Sequence, residues 1–205
     1  MTRLTRPAAR QTGARRLPAG FFMTDSVRQP DWPDILGRLP AGFGVILRDY
    51  HHPARADLAA AIAALCATRD LVLLIAGDAA LARKFGAGLH MPEKMAGRLA
   101  RESIAAGQLR TQAAHGAKGL VQAGRLAVDA ALLSPVFPTA SHPNAATLGP
   151  VRLAGLVRQA PVPVYALGGI SAINVKRLKP SGISGYAGIS GFDGFGFDGL
   201  SFHGA

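Results

Sequence analysis

Short, continuous apolar runs alternate along the chain with Ala- and Leu-rich segments of helical spacing. The runs predicted as strands are Phe21–Thr24, Gly44–Arg48, Leu71–Ala76, Gly88–His90, Leu109–Ala113, Ala130–Leu133, Val162–Leu167 and Gly185–Ile189. Apart from Leu109–Ala113, which carries Arg110, Thr111 and Gln112, they are mostly apolar at consecutive positions rather than at every second one. This is the mark of parallel strands covered on both faces. Between them the spacing predicts helices. Asp57–Thr68 has Asp57 as its N-cap. Ala79–Phe85 follows the third strand, and Glu93–Ala106 stops at Gly107, where a C′ glycine ends a helix. Gly116–Leu126, Pro150–Gln159 (with proline at its start) and Ala172–Leu178 complete the set. Eight strands with helices between them is the count of a (β/α)₈ TIM barrel, an α/β fold. At 205 residues the barrel is a small one. Gly191–Ala205 is rich in Gly, Phe and Asp and reads poorly as a closing helix, so the final helix is expected to be atypical or missing. The expected organisation is a basic, disordered tail over 1–19, a barrel over 20–192 and a Gly/Phe-rich tail over 193–205.

Composition narrows the class. Hydrophobic content of 49% suffices for one core, while aromatics make up only 6%. The single cysteine, Cys66, excludes an internal disulfide and a cysteine metal site and reads as a small buried hydrophobe. No apolar run approaches the ~18 residues of a membrane span, and residues 1–20 lack the apolar region of a secretory signal. The cytoplasm is the expected compartment. The net charge of +11 invites a nucleic-acid reading. Its distribution argues against one. Arg3, Arg6, Arg10, Arg15 and Arg16 sit in the acid-free tail, and the remaining excess is scattered, with no basic stripe interleaved with aromatics.

The candidate chemistry lies in the loops that follow the later strands. Ser134-Pro135-Val136-Phe137-Pro138-Thr139-Ala140-Ser141-His142-Pro143 is a hydroxyl-rich, proline-stiffened loop. Gly168-Gly169 closes the seventh strand, and Gly188-Ile189-Ser190-Gly191 ends the eighth. Barrels often hold a phosphate at these loops. Glycines there let backbone N–H groups approach an anion with no Cβ in the way. Thr139 and Ser141 would add hydroxyl donors. Gly194-x-Gly196-x-x-Gly199 matches a dinucleotide fingerprint formally but opens no βαβ unit. His51-His52 read as a surface loop. His90 ends a strand with Glu93 nearby. Asp78 either faces the barrel mouth or caps the helix after it.

These residues resemble the thiamine phosphate synthase and thiazole tautomerase family. Pro135-Val136-Phe137-Pro138-Thr139 and Gly168-Gly169-Ile170 carry the resemblance most specifically. Phe21-Phe22-Met23-Thr24-Asp25, Leu47-Arg48-Asp49 and Gly86-Ala87-Gly88-Leu89-His90-Met91 add to it. It implies an Mg²⁺-assisted transferase. Such an enzyme joins a pyrimidine methyl diphosphate to a thiazole phosphate and releases diphosphate. It also implies roles: Arg48 and His142 as catalytic residues on the diphosphate, and Asp78 and Glu93 on the metal. Thr139, Ser141, Gly168, Gly169, Ile189 and Ser190 would hold the thiazole phosphate.

The chain departs from the family pattern on the diphosphate side. Ile46 and Tyr50 replace a glutamine and a lysine around Arg48. Ala76-Gly77 replace Asn-Asp after the third strand, Lys94 an acidic residue and Ala113 a serine. His142 stands in place of a lysine. Pro135 stands where the tautomerase has its histidine, so His115 or His142 would have to serve. Two readings follow: a synthase-like transferase, or a silent paralogue that binds thiazole phosphate as carrier or sensor.

Overall fold

The computed structural model describes residues 16–139 and 146–190. The expected Gly191–Ala205 tail, Ser141, His142 and the first fifteen residues therefore lie outside the described residues. Eight parallel strands close a barrel in sequence order, with β8 hydrogen-bonded to β1. They are β1 Gly20–Met23, β2 Gly44–Leu47, β3 Val72–Ala76, β4 Gly88–Met91, β5 Arg110–Ala114, β6 Ala130–Leu133, β7 Val164–Leu167 and β8 Gly185–Gly188. The helices are α1 Trp32–Arg38, α2 Arg55–Thr68, α3 Ala79–Lys84, α4 Ala96–Leu99, α5 Ala117–Arg125 and α6 Gly149–Gln159. A 3₁₀ segment over Val175–Ser181 takes the place of a helix between β7 and β8.

Successive strand residues point to opposite faces, and both faces here are buried, so the core has two layers. Phe21, Ile46, Leu74, Leu132 and Tyr165 fill the barrel interior. Phe22, Val45, Leu47, Ile75 and Leu133 pack outward beneath the helices. The Phe21 and Tyr165 rings meet edge to face, 4.8 Å apart, and plug the floor. The Tyr165 hydroxyl donates to the Pro18 carbonyl, and Leu17 packs against the same cluster.

Three expectations change. The helix foreseen over Glu93–Ala106 is a 3₁₀ turn, Glu93–Met95, followed by the single turn of α4. No helix follows Leu99; beyond it the Glu102 carbonyl accepts from Arg110 Nη2 (2.7 Å) and the Ser103 carbonyl from Arg83 Nη1 (2.9 Å). Asp57 is not the N-cap of α2. The helix starts at Arg55, and Asp57 lies in its first turn, where a carboxylate still suits the helix dipole. The segment foreseen as a helix over Ala172–Leu178 is the 3₁₀ stretch that starts later, at Val175, and runs to Ser181 with Pro180 inside it. The element α1, with Pro33 near its start, was not foreseen.

Candidate functional site

A cavity of about 510 Å³ opens at the C-terminal mouth of the barrel. Every strand except β3 contributes a residue at or near its end. Met23 comes from β1, Arg48 and Tyr50 follow β2, and His90 and Pro92 come from β4. Ala113 and His115 belong to the end of β5, Ser134, Pro135 and Thr139 follow β6, and Leu167, Gly168 and Ile189 come from β7 and β8. Arg48 is the one formally charged side chain among these lining residues. A smaller cavity of about 270 Å³, lined by Thr24–Val27 and Arg48–Pro53, abuts it, with Arg48 and Tyr50 lining both and His51 and His52 on its wall.

The ends of β1 and β2 are tied together around Asp49. Its carboxylate accepts from the Thr24 hydroxyl, the Ser26 hydroxyl and the Ser26 amide (2.7 Å for the last). Burial alone would raise the Asp49 pKa, but the hydrogen bonds from Ser26 and Thr24 outweigh it and hold the group ionised below its ordinary value. Next to this knot the Arg48 amide donates to Thr24 Oγ1 (3.0 Å), and Arg48 Nη1 pairs with Asp25 Oδ2 at 3.0 Å. A guanidinium carries five N–H donors. The pairing orients Arg48 and leaves others for an anion in the cavity.

Across the barrel, the β6 and β7 loops are stitched to each other. Val136 N donates to the Leu167 carbonyl (2.9 Å) and Phe137 N to the Gly168 carbonyl (3.0 Å). Asn174 accepts from the Ser171 amide (2.9 Å) and donates to the Gly169 carbonyl (2.8 Å). Gly169 has φ +64°, and a Cβ on it would lie 2.2 Å from the Pro138 carbonyl oxygen, so no other residue fits there without moving backbone.

Two histidines face the cavity. His115 Nδ1 lies 3.1 Å from the Ser134 carbonyl and 3.3 Å from its hydroxyl. His90 is buried, with Nδ1 2.9 Å from Thr111 Oγ1, and burial lowers its pKa to about 4. It is neutral at pH 7. The unfolded chain binds a proton near pH 6.5 that the fold resists, so stability falls as pH drops from 6.5 towards 4. The loss reaches about 3 kcal/mol at most. Denaturant melts across this range are expected to show that slope in the wild type and a flatter one in His90→Asn.

Of the residues expected at the site, Arg48, Thr139, Gly168 and Ile189 line the cavity. Gly169 and Ser190 adjoin it in sequence. The two expected metal ligands do not line it. Asp78 does cap α3, Oδ1 accepting from Leu81 N (2.9 Å), while its Oδ2 pairs with Arg55 Nη1 (3.5 Å). Glu93 Oε2 accepts from His115 N at 2.8 Å. Among the described residues no three His, Cys, Asp or Glu side chains cluster as metal ligands. Asp78 is engaged through both oxygens and Glu93 through Oε2, and neither lines the cavity, so the two do not fit an Mg²⁺ site facing it. Tyr50 and Ser134 had no predicted role at the site, and His115 only that of a stand-in for the tautomerase's histidine. Their signal was positional: each falls one to three residues beyond a predicted strand.

Comparison with known proteins agrees with this geometry. The family model described as "Thiamine monophosphate synthase" matches residues 38–192. A Geobacter sulfurreducens protein named "Putative thiamine-phosphate synthase" is 34% identical over 183 residues, covering 83% of this chain and 84% of that one. An Aquifex aeolicus protein, "Putative thiamine-phosphate synthase 2", is 34% identical over 105 residues, which span 51% of this chain and 56% of that one. The solved structure of thiamine phosphate pyrophosphorylase from Pyrococcus furiosus superposes with a TM-score of 0.66 at 18% identity, over 85% of this chain and 86% of that one. That likeness is one of fold; the family rests on the sequence match. The chain belongs to the thiamine monophosphate synthase family.

Proposed function

We propose that this protein works in thiamine biosynthesis, joining hydroxymethylpyrimidine diphosphate to thiazole phosphate and releasing diphosphate. One observation carries the reading. Within a chain of this family, the cavity has a tethered guanidinium on one wall and the Gly-Gly loop on the wall opposite. In an eight-stranded ring β2 and β6 lie diametrically across the mouth, so Arg48 and Thr139 face each other over the cavity. Two anionic ends held on opposite walls would bring the reacting carbon and nitrogen together in the middle, which is the main advantage a two-substrate reaction gains from a protein.

Thr139, Gly168 and Gly169 would hold the thiazole phosphate, with Ile189, Ser190 and Ser141 as its further contacts. Arg48, oriented by Asp25, would hold the departing diphosphate, and His142 would assist it. Each charged hydrogen bond to that group is worth about 1.5–3 kcal/mol. The apolar lining, Met23, Pro92, Pro135 and Leu167 among it, keeps water from competing for the cation that forms when diphosphate leaves. The family resemblance implies Mg²⁺, but Asp78 and Glu93 form no site facing the cavity, and no step is assigned to the metal. Small phosphorylated molecules are the partners this site suits. No helix of the described residues is long and apolar enough to cross a membrane.

The purified chain, incubated with both substrates and followed for thiamine phosphate, is expected to form product above the uncatalysed background. Absence of product together with calorimetric binding of thiazole phosphate would replace the synthase by a binding protein.

A further inference from the structure

The end of β3 contributes nothing to the cavity, and its surroundings show why. Gly77 follows the strand with φ +73°, and a Cβ there would lie 3.1 Å from Tyr50 Cε1. A side chain at 77 would have to push the tyrosine ring aside by a few tenths of an ångström and adopt a backbone conformation that favours glycine. The next residue, Asp78, has both carboxylate oxygens engaged, one by the α3 amide of Leu81 and one by Arg55. The Arg55 side chain is only 15% exposed. Its Nη2 donates to the Ala76 carbonyl (2.7 Å) and reaches the Leu47 carbonyl (3.5 Å), and its guanidinium carbon lies 5.8 Å from the Tyr50 ring centroid. A permanent cation is thus built in where β2 and β3 end. On the other side Glu93 is held by the His115 amide and packed against α5, where a Cβ on Gly119 would meet Glu93 Oε2 at 2.9 Å.

Mg²⁺ is usually held by one or two carboxylates together with substrate phosphates. In this chain Gly77 offers no carboxylate and lies against a ring, the charge of Asp78 is met by a guanidinium, and Glu93 is turned to backbone. We infer that the cavity binds diphosphate without a divalent cation, with Arg48 as its fixed positive charge and Arg55 occupying the carboxylate that would otherwise recruit metal. The inference rests on the synthase reading for the identity of the anion and goes beyond it in removing the metal from the site.

Titration calorimetry of the full chain with inorganic pyrophosphate tests it, in EDTA and in Mg²⁺ buffer. The expected result is binding in EDTA, with Kd within threefold of the Mg²⁺ value. Arg48→Ala, checked for an unchanged melting curve, is expected to weaken it at least tenfold. Manganese alone, followed by its EPR signal, is expected not to bind the wild-type chain. Pyrophosphate binding seen only with Mg²⁺, or saturable Mn²⁺ binding lost in Asp78→Asn, overturns the inference and leaves the synthase reading standing. Metal-free pyrophosphate binding without thiamine phosphate formation leaves the inference and removes that reading. No pyrophosphate binding in either buffer overturns the inference outright.

Discussion

Gly169→Ala is expected to lower kcat/KM for thiamine phosphate formation by about a hundredfold or more, and to lower the melting temperature as well. The residue sits at φ +64°, and the new methyl would lie 2.2 Å from the Pro138 carbonyl oxygen and 2.8 Å from that of Phe137. The left-handed conformation alone costs an alanine about 1 kcal/mol. The overlap adds more, because backbone rather than a flexible side chain must move. A total of about 2–4 kcal/mol follows, or roughly 5–15 °C in melting temperature for a chain of this size. The displaced segment is the one joining Phe137 to Gly168, so the loss of activity should exceed the loss of stability. Gly86→Ala is the control. It shares the positive φ (+58°) but meets nothing within 4 Å, so it should show the strain alone, about 1 kcal/mol, with activity kept.

Arg48→Ala is expected to reduce kcat/KM by roughly a hundred- to a thousandfold, as one or two charged hydrogen bonds to the diphosphate disappear. Stability should hardly change. The Arg48–Asp25 pair is part-exposed (31% and 16%), Asp25 keeps Arg28 at 3.6 Å, and such pairs are worth about 0–1 kcal/mol. Arg48→Lys should recover part of the activity, since it restores the charge but not the planar fork that can bond two oxygens at once. Steady-state kinetics beside thermal melts separates the two effects. Equal losses of activity and stability would show that Arg48 works as a structural tie to Asp25 instead.

The strands were legible because a barrel buries both faces of each one. Leu71–Ala76 and Ala130–Leu133 read as unbroken apolar runs, and the structure moves their ends by a residue or less. The glycine loops were legible for a related reason: close approach of backbone, as at Gly169, leaves glycine as the one residue that fits. The helix after β4 was not legible. Its local sequence favours a longer helix, whereas the segment after Leu99 is bonded through the carbonyls of Glu102 and Ser103 to Arg110 and Arg83 of other elements. Nor was α1, whose start at Trp32-Pro33 lacks a side-chain cap.

The sequence by itself determined the barrel, the family and the glycine-rich wall of the site, since apolar burial and backbone crowding restrict residue types position by position. Only the tertiary structure decided the opposite wall. Asp78 and Glu93 stand after the right strands, but a carboxylate's partner depends on what else converges there. Arg55 comes from a helix 23 positions before Asp78, and the His115 amide from a strand end 22 positions after Glu93. Charge pairing across such separations leaves no periodicity to read. The direction of those two side chains, and with it the case for a site without metal, appears only when the strand ends are brought together in a ring.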